Sequence, residues 1–154
     1  MREETGNLWA VPADVRVITT NGTVKKDGCA VMGLGCAREA VERWPDTPKL
    51  LGRALQQFGL RVHVLWSPRV NKQGECTHHG LVSFPVKYNW WEKADLDLIR
   101  ISAEQLVEII NWPEVKRVAL PRPGCGNGRL DWDDVRPILA SILDDRFICV
   151  TWNA

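Results

Sequence analysis

The chain is nearly empty of tyrosine and poor in phenylalanine, with one and three respectively, against eight tryptophans. Its aromatic area is therefore concentrated in a few large rings, which suit core positions or pocket walls. It has almost no charge imbalance: 20 basic and 19 acidic residues leave a net charge of +1. That excludes capture of nucleic acid or membrane by a whole-protein field, though not local contact. No apolar run approaches a membrane span, and Met1-Arg2-Glu3-Glu4 does not open a secretion signal. Cys29, Cys36, Cys76, Cys125 and Cys149 are odd in number and scattered, so a disulfide framework is not expected. A reducing cytoplasm and no membrane contact are the expectation. No repeat, low-complexity tract or linker interrupts the 154 residues, which predicts a single domain over 1–154.

What is there alternates between strand and helix signals. Val15 to Thr20 is a β-branched strand ending in the turn pair Asn21-Gly22. Thr23 to Gly35 is a glycine-rich loop, followed by a helix over Cys36 to Trp44 that Pro45 stops. Pro48 to Phe58 is a second helix, closed by Gly59. Strands follow at Arg61 to Trp66 and Leu81 to Lys87, with a polar loop or hairpin end over Ser67 to Gly80. Ala94 to Ile110 is helical by pattern, with Ile101-Ser102-Ala103 as a candidate break. Arg117 to Leu120 is a strand. Asp131 to Leu143 is a helix, with Asp131 as N-cap and Asp134 reaching back as in a capping box. Phe147 to Trp152 is the last strand. The alternation predicts an α/β fold, a three-layer α/β/α sandwich around a central mixed sheet.

Two loops carry the chemistry. Val31-Met32-Gly33-Leu34-Gly35-Cys36 follows a strand and opens a helix, and so does Pro121-Arg122-Pro123-Gly124-Cys125-Gly126-Asn127-Gly128. Glycines let backbone N–H groups approach an anion closely, and a helix N-terminus favours negative charge. In an open α/β sheet such loops commonly face one crevice, where they would hold a diphosphate between them. The plainer alternative is that the glycines only serve tight turns. No Gly-Lys-Ser/Thr ending follows, which excludes a phosphate-loop NTPase, and Met32 to Gly35 is not the dinucleotide fingerprint. Cys76-Thr77-His78-His79 is too tightly spaced for a structural zinc site, so no metal is expected.

Asn21, Val31 to Ala37, Pro121 to Gly128 and Leu130-Asp131-Trp132, with the opening Gly6-Asn7-Leu8-Trp9, resemble macrodomains from about Gly6 to Trp152. The resemblance is to the branch of terminal ADP-ribose protein glycohydrolase and the antitoxin macrodomains that strip ADP-ribose from DNA. It implies an ADP-ribose site, with Asn7 and Leu8 toward the adenine and Asn21 at the distal ribose; Trp152, at the end of the last strand, either stacks on the adenine or is an ordinary core residue. Val31, Met32, Gly33, Leu34, Gly35 and Cys36 would form one jaw on the diphosphate. Pro121, Gly124, Cys125, Gly126, Asn127 and Gly128 would form the other.

Lys87 resembles the branch's catalytic lysine. A partly neutral amine there would attack or stabilise the anomeric carbon, and desolvation or a nearby cation would supply the neutral form. The ordinary alternative is a strand-end lysine in water. Two positions depart from the family: Gly128 stands where the human-type enzyme has an aspartate, and Asn7 replaces the usual adenine-binding aspartate. Asn7 can still accept through its carbonyl oxygen, without charge assistance. Trp90 and Trp91 either stack on a nucleobase of the modified partner or pack under the following helix. The reading is an ADP-ribosyl hydrolase, without cofactor and monomeric, acting on ADP-ribosylated DNA or protein. A non-catalytic ADP-ribose reader and an ADP-ribose 1″-phosphate phosphatase are its rivals.

Overall fold

The computed structural model describes residues 1–152. In chain order the elements are β1 (Arg2–Thr5), β2 (Val15–Asn21), α1 (Gly35–Arg43), α2 (Thr47–Phe58), β3 (His63–Trp66), β4 (Arg69–Val70) and β5 (Cys76–His78). They continue with β6 (Gly80–Lys87), α3 (Leu96–Ile109), β7 (Val118–Leu120), α4 (Trp132–Ile142) and β8 (Phe147–Thr151). Six strands form one sheet in the order β1-β8-β7-β2-β6-β3. All neighbours are parallel except β3, which runs antiparallel to β6. β4 and β5 make a separate small hairpin within the segment expected as loop or hairpin end.

The strand period sorts side chains to two faces. Val15 and Val17 of β2, with Val82 and Phe84 of β6, pack with Ile99, Ala103 and Leu106 of α3 and Val135 and Leu139 of α4. Ile18 and Leu81 pack on the other face with Ala37 and Ala40 of α1 and Leu51 and Leu55 of α2. The mixed sheet between helical layers is the expected α/β/α sandwich.

One strand is additional to the sequence reading, and three local readings need correction. β1 was not visible in Arg2-Glu3-Glu4-Thr5, because it is a charged edge strand, fixed by parallel pairing to β8. Its acids meet partners from elsewhere: Glu3 pairs with Arg136 at 2.9 Å and Glu4 with Arg117 at 3.2 Å. α3 does not break at Ser102, whose hydroxyl is buried and donates to the Pro85 carbonyl at 2.7 Å. α3 starts at Leu96 rather than Ala94, because the Asp95 carboxylate caps it by accepting from Leu98 N–H at 2.9 Å. The capping box at α4 does not form. Asp131 is the N-cap residue, but its carboxylate accepts no helix N–H, and the Asp134 N–H turns onto the Asp131 backbone carbonyl instead.

Candidate functional site: a cleft between two glycine loops

The cleft opens at the carboxyl ends of β2, β6, β7 and β8. Pro85 lacks an N–H, so it cannot donate to the ladder inside a sheet. There the β2–β6 register shifts: Thr20 pairs with Pro85, but Asn21 pairs with Lys87. The shift sets these two residues side by side on neighbouring central strands.

The Asn21 amide is largely committed to holding the first loop. Its Nδ2 donates to the Val31 carbonyl at 3.1 Å and its Oδ1 accepts from Thr23 N–H at 2.9 Å. One N–H remains for a ligand. The same loop is held from below by α2: Ala30 N–H donates to the Pro48 carbonyl, and a Cβ on Gly52 would overlap the Gly28 carbonyl oxygen. Gly35, at φ 59°, then opens α1. No side chain caps α1, so its first N–H groups face the cleft without a capping acceptor.

The second loop follows β7. Its own hydrogen bonds run from Cys125 N–H to the Arg122 carbonyl, from Arg129 N–H to the Gly126 carbonyl, and from Leu130 N–H to the Gly124 carbonyl. The N–H groups between, on Gly126, Asn127 and Gly128, take no part in these turns. Gly128 is dictated by packing: a Cβ there would lie 2.5 Å from the Gly124 carbonyl oxygen and 2.7 Å from the Ala94 Cβ. The two loops come together at one point, where a Cβ on Gly35 would lie 3.1 Å from the Asn127 side-chain amide.

The Lys87 amine joins the jaws from the sheet side. Its Nζ donates to the Asn127 carbonyl at 3.2 Å and to the Trp90 carbonyl at 3.3 Å. Burial, and then the positive charge of Arg129, hold its pKa below the ordinary lysine value. Two carbonyls take two of the three positions at which Nζ can donate, which leaves one position free.

These elements enclose a cavity of about 710 Å³. Every residue the sequence assigned to ADP-ribose lines it: Asn7 and Leu8, Asn21, Val31 to Cys36, Pro121, Gly124 to Gly128 and Trp152. Lys87 and Trp90 line it too, whereas Trp91 does not. Trp91 lies edge-on to Trp90, their ring centres 5.9 Å apart. Both are exposed, at 52% for Trp90 and 61% for Trp91, so neither packs beneath α3. Trp152 is exposed at the rim and is not a core residue. The Asn7 Oδ1 accepts from Trp9 N–H at 2.8 Å, so one of its lone pairs is already in use.

The sequence missed several walls of this cavity, among them Thr19, Thr20, Arg122 and Glu39. Arg122 stands between Pro121 and Pro123, with its guanidinium 4.8 Å from the centre of the Trp132 ring. Its Nε is buried without a hydrogen-bond partner. The signal was present, as the one cation inside the second glycine motif. Glu39, on the second turn of α1, is the one carboxylate among the lining residues, and its Oε2 accepts from the Trp9 indole N–H at 2.9 Å. Nothing in its local sequence marked it. The lining thiols offer no ready nucleophile, since burial pushes the pKa of both Cys36 and Cys125 upward.

The chain superposes on the macrodomain of Mycobacterium tuberculosis DarG with a TM-score of 0.79, at 24% identity, over 99% of this chain and 97% of that one. It has the macrodomain fold. A structure described as Thermosipho africanus DarTG in complex with ADP-ribose gives the same TM-score of 0.79, at 20% identity, over 99% of this chain and 42% of that one. No family model matches the sequence. Among curated proteins, the DNA ADP-ribosyl glycohydrolase of Mycobacterium tuberculosis is 28% identical over 123 residues. That match covers 79% of this chain and 34% of the relative, so this chain spans about a third of the curated protein it resembles. The cleft lies where the two glycine loops and Lys87 converge.

Proposed function

We propose that this macrodomain binds ADP-ribose in the cleft and hydrolyses its linkage to a modified group, a DNA base being the first candidate. Support comes from the relatives named DNA ADP-ribosyl glycohydrolase and from the ADP-ribose complex of a structural neighbour. The observation that carries the catalytic part is the Lys87 amine, partly desolvated and hydrogen-bonded to the second loop. The free N–H groups of both loops would hold the diphosphate, and the remaining N–H of Asn21 would orient the distal ribose. The Lys87 lone pair would form a bond to the anomeric carbon as the bond to the modified group breaks. That group leaves with a proton, and water then releases ADP-ribose from the lysine.

Titration calorimetry with ADP-ribose, followed by a release assay on ADP-ribosylated thymidine and guanosine in DNA and glutamate and arginine in protein, tests both halves. No binding removes the whole reading. Binding without release on any substrate leaves a reader, which one observation favours: Gly128 leaves the second loop without a carboxylate.

The amine must be neutral to attack, so the rate is expected to rise with pH through the pKa of Lys87. That midpoint lies below the ordinary lysine value. Arg129→Ala removes one of the two influences that lower it, so the midpoint should move to higher pH. Turnover near neutrality then falls while the alkaline plateau stays. A pH–rate profile of both proteins checks this, and coincident midpoints would remove the Arg129 contribution.

Trp90 lines the cleft beside Lys87, so it meets whatever ADP-ribose is attached to. The double variant Trp90→Ala, Trp91→Ala is expected to slow release from modified oligonucleotide by about tenfold or more, at 1–3 kcal/mol per stacked base. Release from modified protein should change less. Equal losses on the two substrates would count against base stacking.

A further inference from the structure

A second cavity, of about 360 Å³, is lined by Trp9, Arg16, Arg43, Trp44 and His79. It is linked to the main cleft by the Trp9 indole N–H, which donates at 2.9 Å to Glu39, a residue of the cleft wall. Arg16 is only 6% exposed, yet among the described residues neither Arg16 nor Arg43 forms an ion pair with a carboxylate. Arg16 donates instead to the carbonyls of Leu8 at 2.9 Å and Val11 at 2.7 Å, and to Nδ1 of His79 at 2.8 Å. An arginine has no acceptor, so Nδ1 takes that hydrogen bond and the imidazole proton sits on Nε2, a further donor. Arg43 lies 4.4 Å from the centre of the Trp9 ring, and its Nη1 donates to the Glu39 backbone carbonyl.

A buried guanidinium without a counter-charge is costly, and a second cation beside it adds to the cost. Burial, then the charge of Arg43, depress the pKa of Arg16, and no acid offsets them. An oxyanion would remove this imbalance, because guanidinium forks and an imidazole N–H match its geometry. We propose that this second cavity binds a phosphate-class oxyanion. The cavity is larger than one phosphate, and its Trp44 and Trp9 rings give apolar walls, which suits a phosphate carried on a sugar. Through Arg16 the anion would also tighten the Leu8–Val11 segment, whose Leu8 lines the main cleft.

The test is titration of the protein with inorganic phosphate, and separately with a short single-stranded oligothymidylate carrying no ADP-ribose, at constant ionic strength. The indole N–H signals of Trp9 and Trp44 are followed by NMR. Saturable shifts are expected, weakened about tenfold or more in Arg43→Gln, since a charge-assisted contact is lost. Arg38→Gln, on the exposed face of the same helix, should change the affinity less than about twofold, because its surface ion pair with Glu42 contributes little. Thermal melting verifies that each variant folds, and His79→Ala replaces Arg43→Gln if that variant does not. Response to phosphate alone identifies a free anion. Displacement of phosphate by the oligonucleotide identifies a nucleic-acid backbone. No saturable shift with either probe, or equal weakening by the Arg43 and Arg38 substitutions, overturns the proposal. None of these readouts depends on ADP-ribose turnover.

Discussion

Lys87→Ala is expected to cut ADP-ribose release by about a thousandfold or more while leaving ADP-ribose affinity within about tenfold of the parent. The split follows from what the amine touches. Its hydrogen bonds go to the carbonyls of Trp90 and Asn127, so the ligand keeps the loop N–H groups when the lysine is lost. The barrier rises because no lone pair remains beside the ribose, and a thousandfold loss corresponds to about 4 kcal/mol. Lys87→Arg should be equally inactive, since a guanidinium does not deprotonate in a protein. Single-turnover release beside calorimetric binding gives both numbers. A Lys87→Ala protein that turns over normally would end the lysine mechanism, and one that no longer binds would assign Lys87 to affinity.

The second large effect is at Gly128. Gly128→Ala is expected to destabilise the fold by about 1–3 kcal/mol, the usual cost of overpacking. That lowers the melting temperature by roughly 2–4 °C per kcal/mol in a chain of this size. The new methyl meets the Gly124 carbonyl oxygen and the Ala94 Cβ, which joins α3 to the loop, and neither is a flexible side-chain end. The loop has to shift, so ADP-ribose affinity should fall as well. Gly126→Ala is the control for stability, because its Cβ would meet no neighbouring atom within 4 Å. Thermal melts and ADP-ribose titrations of the two variants decide the point. If Gly128→Ala melts with the parent, the tight packing is wrong. The same geometry explains why this loop holds no aspartate: the backbone at 128 passes too close to Gly124 and Ala94 for a side chain there.

Features that depend on residue type and local spacing were legible in the sequence. Gly124, Gly126 and Gly128 on one loop, and Gly33 and Gly35 on the other, announced two close backbone approaches, and all five residues line one cavity. The alternating strands and helices were placed to within a few residues at most ends. What escaped depends on distant neighbours. Arg2–Thr5 is a strand only because β8 offers it an edge. Gly52 looks like an ordinary helix interior residue, yet its missing Cβ admits the Gly28 carbonyl. Asn21 was expected to serve a ligand, and most of its amide serves the loop above it. Glu39 and Arg16 acquire their surroundings only when α1, β2 and the Leu8–Val11 segment meet.

The pairing of Asn21 with Lys87 has a bearing on how this protein fails. Both sit on β2 and β6, adjacent strands inside the six-stranded sheet, not on a lid or an edge. Backbone amides of central strands open to hydrogen exchange mostly through unfolding of the whole molecule, whereas loops and edges open at little cost. Heating or mild denaturant should therefore loosen the glycine jaws first and leave the lysine in place beside the asparagine. A partly loosened molecule would lose its hold on the ligand long before it lost the constellation beneath it. Cooling or ligand would then restore the cleft without refolding the sheet.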